Sequence, residues 1–267
     1  MGTEKRQRQK ENRQKKREQQ AKIETRDNLR QRILVGIGFA ALAALGIFFL
    51  SRGGDDPTTA AASSATTILG ATTTTQPAVP VSDIECPAAD GSSAQTLAFD
   101  AAPPMCIDVT KTYTAEMVTS EGTVTIELDA TKAPNTVNNF VFLSRYHYYD
   151  GARFHRVIND FMIQGGDPVG NPAGTGNPGY RFNDELPAQG DYQVGSIAMA
   201  NSGANTNGSQ FFIVTGAAGV NLPPQYSLFG QVTEGLDVVK TIEAVETDDG
   251  DAPLTDVVIE SVTISES

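Results

Sequence analysis

The chain has 267 residues, enough for one large domain or two small ones, and its 39% apolar and 7% aromatic content is ordinary for a globular protein. Residues 1–32 carry twelve Lys or Arg against five acids, which leaves eight basic and 27 acidic groups in the rest of the chain. This uneven charge excludes a single, uniformly acidic protein, so the two parts need separate explanations.

Residues 33–50 are an uninterrupted apolar run, ILVGIGFAALAALGIFFL. As a helix this run would be about 27 Å long, close to the roughly 30 Å hydrocarbon core of a bilayer. The twelve cations before the run, with only Arg52 close after it, orient it with its N-terminus in the cytoplasm. We therefore expect a single transmembrane helix with the acidic part outside. A cleaved secretory signal and a buried core helix are the alternatives.

The segments on either side of this run are predicted to lack a core of their own. Residues 1–32 are expected to be a basic cytoplasmic tail that contacts anionic lipid. Nucleic acid is the alternative partner for such a cluster, but the tail has no aromatic side chains for base stacking, so we predict no nucleic acid partner. Residues 51–84, rich in Thr, Ala, Ser and Pro, are predicted to be a disordered stalk, because they bury too little apolar surface to offset the entropy of ordering.

Cys86 and Cys106 are the only cysteines, and both lie in a segment, residues 85–111, that precedes the predicted folded domain. In an exported chain two cysteines at this separation most simply form one disulfide, which contributes roughly 3 kcal/mol through chain entropy. A zinc site is disfavoured, because two thiols do not fill a tetrahedral site and neither His147 nor His155 is near in sequence.

Residues 112–267 show short strands with turn punctuation. The run TYTAEMVTSEGTVTIELDA predicts a hairpin that turns at residues 120–122, and a helix follows with Pro134 suited to its first turn. A second helix is predicted at 235–246. Further strands are predicted at 152–158, 161–164, 195–200, 209–214, 228–232 and 255–264. This order favours a closed antiparallel barrel with a helix at each end.

Three stretches of this domain carry the candidate chemistry. They are FHRVINDFMIQGGD (154–167), GSIAMANSGANTNGSQFFIVTG (195–216) and NLPPQYSLFGQV (221–232). With the preceding YYDGARFHRVI they resemble the cyclophilin-type peptidyl-prolyl isomerases over residues 112–265. The resemblance implies a mostly β fold, a closed eight-stranded antiparallel barrel capped by two helices, with a peptide groove on the outside. The tail, anchor and stalk resemble those of bacterial membrane-anchored members.

The resemblance also implies roles for single residues. Arg156 corresponds to the catalytic arginine of the family, and Tyr226, where many eukaryotic members have a histidine, would offer an aromatic face and a hydroxyl. Asn221 stands where those members have a tryptophan, so we expect at most weak cyclosporin binding. The substrate proline pocket is implied for Phe161, Met162, Phe212 and Leu222, and contacts with the peptide backbone or the arginine are implied for Gln164, Ala200, Asn201 and Gln210.

The chemistry is consistent with an arginine among apolar residues. Rotation of an X-Pro amide crosses a barrier of roughly 18–20 kcal/mol, and the twisted proline nitrogen regains a lone pair that a fixed guanidinium can bind. Such a step requires no nucleophile, metal or cofactor. No acid lies within three positions of Arg156, and we interpret the lack of a nearby carboxylate as keeping its donors available for the amide.

The spacing of residues along the first stretch makes a further prediction. A period of two places Phe154, Arg156 and Ile158 on one face of a strand. Phe161 and Met162 are neighbours and would point oppositely, so a bend or bulge at residues 158–160 is needed to bring both to the same surface.

We therefore predict a peptidyl-prolyl cis-trans isomerase for X-Pro bonds of exported or envelope proteins, held at the cell membrane with its catalytic domain outside the cytoplasm. The alternative is a membrane-tethered chaperone or assembly module that binds proline-containing polypeptides without turnover. Retention of Arg156 favours the enzyme, because binding alone could rely on the apolar pocket.

Overall fold

The computed structural model of the chain describes residues 85–267. The predicted tail, membrane span and stalk, residues 1–32, 33–50 and 51–84, lie outside the described residues. Within residues 85–267, every helix is too short or too polar to cross a bilayer.

Eight strands and three helices occur in this described part of the chain. The first five elements are β1 (Tyr113–Thr119), β2 (Gly122–Leu128), α1 (Pro134–Arg145), β3 (Arg156–Ile158) and β4 (Met162–Gly165). The remaining six are β5 (Ser196–Met199), β6 (Phe211–Val214), α2 (Ala217–Val220), β7 (Leu228–Glu234), α3 (Leu236–Glu243) and β8 (Ile259–Glu266). The predicted elements are all present, and only the one-turn helix α2 was not foreseen.

The strands form one antiparallel sheet in the order β3-β4-β6-β5-β7-β2-β1-β8. Among residues 85–267 no ladder joins the edge strands β3 and β8. The chain before each of them meets at a single bridge between Arg153 and Val258, and the amide of Phe154 donates to the carbonyl oxygen of Val257 at 3.0 Å. The structure thus has a curled sheet whose edges approach each other, and the continuous closed barrel predicted from the sequence is not seen.

The first hairpin has the predicted register, with Thr119 paired to Gly122 across the turn. Gly122 has φ 133°, and a Cβ at this position would lie 2.8 Å from Cγ2 of Val238, so the turn needs glycine for both conformation and space. Helix α1 begins at Pro134, as predicted.

Helix α1 is buried on nearly its whole surface, from Thr136 to Arg145. One side packs against the sheet, and the other is covered by residues 85–111, which we call the N-terminal strap. The side chain of Asn138 binds the strap twice, since its Oδ1 accepts from the amide of Cys106 at 2.7 Å and its Nδ2 donates to the carbonyl oxygen of Pro104 at 2.8 Å. The strap is therefore part of the folded domain, although it precedes the region of family resemblance.

The predicted disulfide between Cys86 and Cys106 is present and closes a loop within the strap. Inside this loop Phe99 is buried, and its ring packs against those of Phe142, Tyr146 and Tyr180. Three aromatic partners on one side chain make Phe99 the main apolar attachment of the strap.

Strands β5 and β6 are buried on both faces of the sheet, which explains their runs SIAM and FFIV. On β6, Phe211 and Ile213 belong to the main core beneath helices α1 and α3, whereas Phe212 and Val214 belong to a smaller cluster on the opposite face. The smaller cluster forms the floor of the candidate site.

Candidate active site

A cavity of about 200 Å³ lies over the smaller apolar cluster. It is lined by Arg156, Phe161, Met162, Gln164, Ala200, Asn201, Phe212, Leu222 and Tyr226. Ten residues were predicted from the sequence to take part in catalysis or peptide binding, and the fold brings nine of them to this one cavity. The tenth, Gln210, is hydrogen-bonded to Gln164.

The apolar wall of the cavity is rigid because its deepest members are part of the packed cluster. Met162 and Phe212 are 2% and 5% exposed, and Phe161 and Leu222 are half-buried beside them. The ring of Tyr226 stands at 90° to that of Phe212, with centroids 5.3 Å apart. This edge-to-face contact orients the ring of Tyr226 at the cavity, and its aromatic role toward a ligand stays a prediction.

The bend predicted near residues 158–160 is a tight turn between two paired strands. Ile158 pairs with Met162, the amide of Phe161 donates to the carbonyl oxygen of Ile158 at 3.2 Å, and Asp160 has φ 59°. A residue in the left-handed region reverses the chain here. The turn brings Phe161 and Met162 to the same cavity, as the sequence analysis required.

One part of the strand prediction is wrong. Phe154 precedes β3 and lies in the main core, where its ring contacts Phe211, whereas Ile158 packs against the cluster beneath the cavity. Phe154 therefore does not share a face with Ile158. Strict alternation fails because β3 begins only at Arg156, and the chain before it is not extended as part of the strand.

A residue of helix α3, Glu243, holds this turn by a hydrogen bond. The carboxylate of Glu243 accepts from the amide of Asp160 at 2.7 Å and from Nζ of Lys240 at 2.7 Å. Burial by itself raises the pKa of Glu243, but the hydrogen bonds from Lys240 and from the amide of Asp160 outweigh it, so the pKa lies below its ordinary value of 4.5. An ionised buried carboxylate thus fixes the turn that presents Phe161.

A chain of hydrogen bonds forms the polar side of the site. Nε2 of Gln164 donates to Oε1 of Gln210 at 3.1 Å, and Nε2 of Gln210 donates to the carbonyl oxygens of Gly174 and Gly176 at 3.0 and 2.9 Å. Those two glycines donate their own amides to one carboxylate oxygen of the buried Asp167, both at 2.8 Å. The glycine-rich loop is therefore wrapped around Asp167 and positions Gln210.

The opposite rim is held by backbone contacts. Nδ2 of Asn201 donates to the carbonyl oxygen of Gln225 at 2.9 Å, and the hydroxyl of Tyr192 donates to the carbonyl oxygen of Tyr226 at 2.7 Å. Asn221 does not line the cavity. Its Nδ2 donates to the carbonyl oxygen of Ala217 at 2.8 Å and its side chain is exposed.

Arg156 lies at the edge of the cavity with its side chain 44% exposed. Its Nε is 3.5 Å from Oδ2 of Asp251, in the loop between α3 and β8. The sequence interpretation that no carboxylate lies near Arg156 is therefore wrong. The partner lies 95 positions along the chain, too far for an inspection of neighbouring residues to find.

His155 adjoins Arg156 but is not part of the cavity lining, and its ring lies beside Gly174. Burial lowers the pKa of this imidazole below its ordinary value of 6.5, so the ring is neutral near pH 7. The structure thus offers no reason to give His155 a catalytic role.

Three acids that shape the site were missed by the sequence analysis, namely Asp167, Glu243 and Asp251. Asp167 had a visible signal, since it directly precedes a glycine-rich loop whose amides need acceptors. Glu243 and Asp251 had none, because the site residues that they contact, Asp160 and Arg156, lie on distant parts of the chain.

The arrangement is suited to one kind of ligand. An apolar wall and a guanidinium share a small cavity open to solvent, while amide side chains line its polar side. It can hold a compact apolar ring and present N–H donors beside it, with further hydrogen bonds for an extended peptide backbone.

Comparison with known proteins gives a match to one family model. Residues 114–264 match the model described as cyclophilin type peptidyl-prolyl cis-trans isomerase/CLD. This range includes every residue of the cavity.

Curated proteins and solved structures agree with that match. A peptidyl-prolyl cis-trans isomerase-like 1 from Rhizopus delemar is 49% identical over 50% of this chain and 81% of its own length. Peptidyl-prolyl cis-trans isomerase A from Mycobacterium tuberculosis is 44% identical over 58% of this chain and 93% of its own. A cyclophilin-type isomerase from Cryptosporidium parvum superposes with a TM-score of 0.53 at 31% identity, over 58% of this chain and 99% of its own. The same parasite protein in the presence of the dipeptide Ala-Pro gives a TM-score of 0.52 at 32% identity.

Proposed function

The chain belongs to the cyclophilin-type peptidyl-prolyl cis-trans isomerases, which are enzymes, and on that premise we propose that Arg156 accelerates the isomerisation by stabilising the twisted X-Pro amide. The observation that carries this mechanism is the single 200 Å³ cavity in which the guanidinium meets the apolar wall. The residues on its polar side would hold the peptide backbone on either side of the proline.

Acceleration requires that the site bind the twisted amide more strongly than the planar amide. Twisting removes the resonance of the amide, so the proline nitrogen gains a lone pair that accepts a hydrogen bond. A donor fixed beside that nitrogen binds the twisted state more strongly than either planar isomer, and this difference lowers the barrier. Arg156 is always charged and provides five N–H donors.

The apolar wall would receive the ring of the substrate proline. Phe161, Met162, Phe212 and Leu222 form a rigid wall, so the ring stays fixed while the preceding peptide group rotates. The Cryptosporidium parvum relative crystallised in the presence of Ala-Pro supports a proline-containing ligand for this cavity. We still expect at most weak cyclosporin binding, because Asn221 stands where many eukaryotic members have a tryptophan. Asn221 also does not line the cavity.

We further propose that the clients are exported or envelope proteins and that the domain is anchored in the cell membrane by residues 33–50, with the N-terminus in the cytoplasm. The charge asymmetry around the apolar run supports this topology. The Cys86–Cys106 disulfide supports an oxidising, extracytoplasmic location for the domain. Protease added to intact cells should remove the domain, and protection of the domain would disprove this topology.

The mechanism is tested by measuring the isomerisation of a short Ala-Pro peptide in a protease-coupled assay. We expect Arg156→Ala to lower kcat/KM by about 10²- to 10³-fold, the range for removal of one preorganised donor to a transition state. Arg153→Ala is the matched control, since Arg153 is 59% exposed, pairs with Asp256 and lies outside the cavity. That control should retain wild-type activity.

The outcomes separate the enzyme from the alternative binding module. Equal rates for wild type and Arg156→Ala would refute the role of Arg156. If wild type lacked activity but bound the peptide, the tethered chaperone or assembly module would be the correct description.

A further inference from the structure

Arg156 has one charged partner within residues 85–267, and it is Asp251. Nε of the arginine lies 3.5 Å from Oδ2 of the aspartate, and the two side chains are 44% and 41% exposed. The two terminal nitrogens of the guanidinium donate to no other residue in this part of the chain. The aspartate therefore engages one edge of the guanidinium and leaves the terminal edge available.

The loop that carries Asp251 is folded by its own hydrogen bonds. Oδ1 of Asp248 accepts from the amides of Gly250 and Ala252 at 2.7 and 3.0 Å. The amide of Leu254 donates to the carbonyl oxygen of Glu246 at 2.8 Å and closes the base of the loop. The loop therefore has hydrogen bonds of its own in addition to its contact with Arg156.

The same loop is docked on the strand that carries the arginine. The amide of Val157 donates to the carbonyl oxygen of Asp251 at 2.8 Å, which fixes the backbone of Asp251 next to that of Arg156. Asp251 itself has φ 67°, a left-handed conformation that Asp and Asn tolerate better than most residues. The hydrogen-bonded backbone of Asp251 thus places its carboxylate beside the guanidinium of Arg156.

A half-exposed arginine has many rotamers, and its donors can stabilise a transition state only when they are already oriented. The guanidinium is planar, so a contact at Nε also sets the direction of the terminal N–H groups. We propose that Asp251 is a positioning residue, which holds the Nε edge of Arg156 so that the terminal N–H groups face the substrate amide. This inference rests on the proposed role of Arg156.

The test is Asp251→Asn, which removes the charge while keeping the size and the tolerance of left-handed backbone. We expect kcat/KM for a neutral Ala-Pro peptide to fall by about fivefold, the upper range for an exposed ion pair, with most of the loss in kcat. Glu246→Gln removes one charge from the base of the same loop and should change the rate by less than about 1.5-fold, since the side chain of Glu246 is exposed and its charge is screened by solvent. Equal urea midpoints for the variants would exclude unfolding as the cause.

Two further measurements report positioning and would not follow from a merely structural role. The Nε–H resonance of Arg156, identified by its disappearance in Arg156→Lys, should shift in Asp251→Asn and not in Glu246→Gln. Raising the salt concentration to about 1 M screens the ion pair, so the wild-type rate should approach that of Asp251→Asn, whose rate should stay constant.

The results distinguish this inference from the proposed mechanism. Loss of activity in Arg156→Ala together with full activity in Asp251→Asn would overturn the positioning role alone. A rise in activity in Asp251→Asn would also overturn it, because it would show that the carboxylate competes with the substrate for donors. Full activity in Arg156→Ala would instead refute the mechanism itself.

Discussion

The side-chain amide of Gln164 donates a hydrogen bond of 3.1 Å to the side-chain oxygen of Gln210, and this contact joins the cavity to the glycine-rich loop behind it. Nε2 of Gln210 in turn donates hydrogen bonds to the carbonyl oxygens of Gly174 and Gly176. The polar side of the site is therefore a continuous network whose members fix one another's orientation.

Gln210→Glu tests this network. A carboxylate cannot donate to the two glycine carbonyls and repels them, so the loop and Gln164 lose their fixed positions. We expect kcat/KM for an Ala-Pro peptide to fall by about tenfold, because misplaced contacts to the substrate are costly in the transition state. Gln189→Glu, in an exposed turn, adds the same charge and should leave the rate unchanged. A wild-type rate in Gln210→Glu would show that the network does not orient the substrate.

Asp167→Asn tests the support of the glycine-rich loop. Each carboxylate oxygen accepts two backbone amides, from Val169 and Gly170 on one side and from Gly174 and Gly176 on the other. An asparagine must place its own NH₂ group against one of these pairs, so two partly buried donors lose their acceptor. We expect a loss of about 3 kcal/mol in the free energy of unfolding, measured by urea denaturation.

The control for this variant is Asp256→Asn, because Asp256 is 60% exposed and pairs with Arg153 at the surface. Asp256→Asn should change the free energy of unfolding by no more than about 0.5 kcal/mol. Similar losses in the two variants would mean that the buried acceptor contributes no more than a surface charge.

Glu243→Gln gives a prediction that depends on pH. The pKa of Glu243 is lower in the folded protein than its ordinary 4.5, so the unfolded chain binds a proton more readily. The stabilisation is thus fully present above the unfolded pKa and is lost as the pH falls through the folded pKa. At pH 7 the variant should be less stable by about 1–2 kcal/mol, and the difference should shrink at pH values below 4.5.

Urea midpoints measured for wild type and Glu243→Gln across this pH range check the prediction. Glu260→Gln, an exposed change on β8, should show no such trend. A difference that grows on acidification would have the wrong sign and would contradict an ionised Glu243 in the folded state.

The double variant Cys86→Ser, Cys106→Ser tests the N-terminal strap. The disulfide spans a sequence separation of 20 residues, and its removal should lower the free energy of unfolding by about 3 kcal/mol through the entropy of the unfolded chain. Treatment with a reducing agent should destabilise wild type by the same amount and leave the variant unchanged. Equal stability of the two proteins would show that the strap is held by Phe99 and its hydrogen bonds alone.

Much of the fold was predictable from local patterns. The hairpin of β1 and β2, the start of α1 at Pro134, and the later strands follow from alternation, turn residues and the position of proline, all of which act over a few residues. The extent of the strands was less predictable. β3 holds three residues and not seven, because the chain before Arg156 enters the main core at Phe154.

The amino-acid sequence by itself determined which side chains could form the site, since Arg156 and the apolar residues of three motifs are recognisable without coordinates. Only the tertiary structure decided which distant residues contact those side chains and support the domain around them. Asp251 meets Arg156 because a distant loop docks on β3, and Phe99 joins the aromatic core because the strap folds back over α1. Such contacts join parts of the chain that share no local periodicity, and their positions are set by packing over the whole domain.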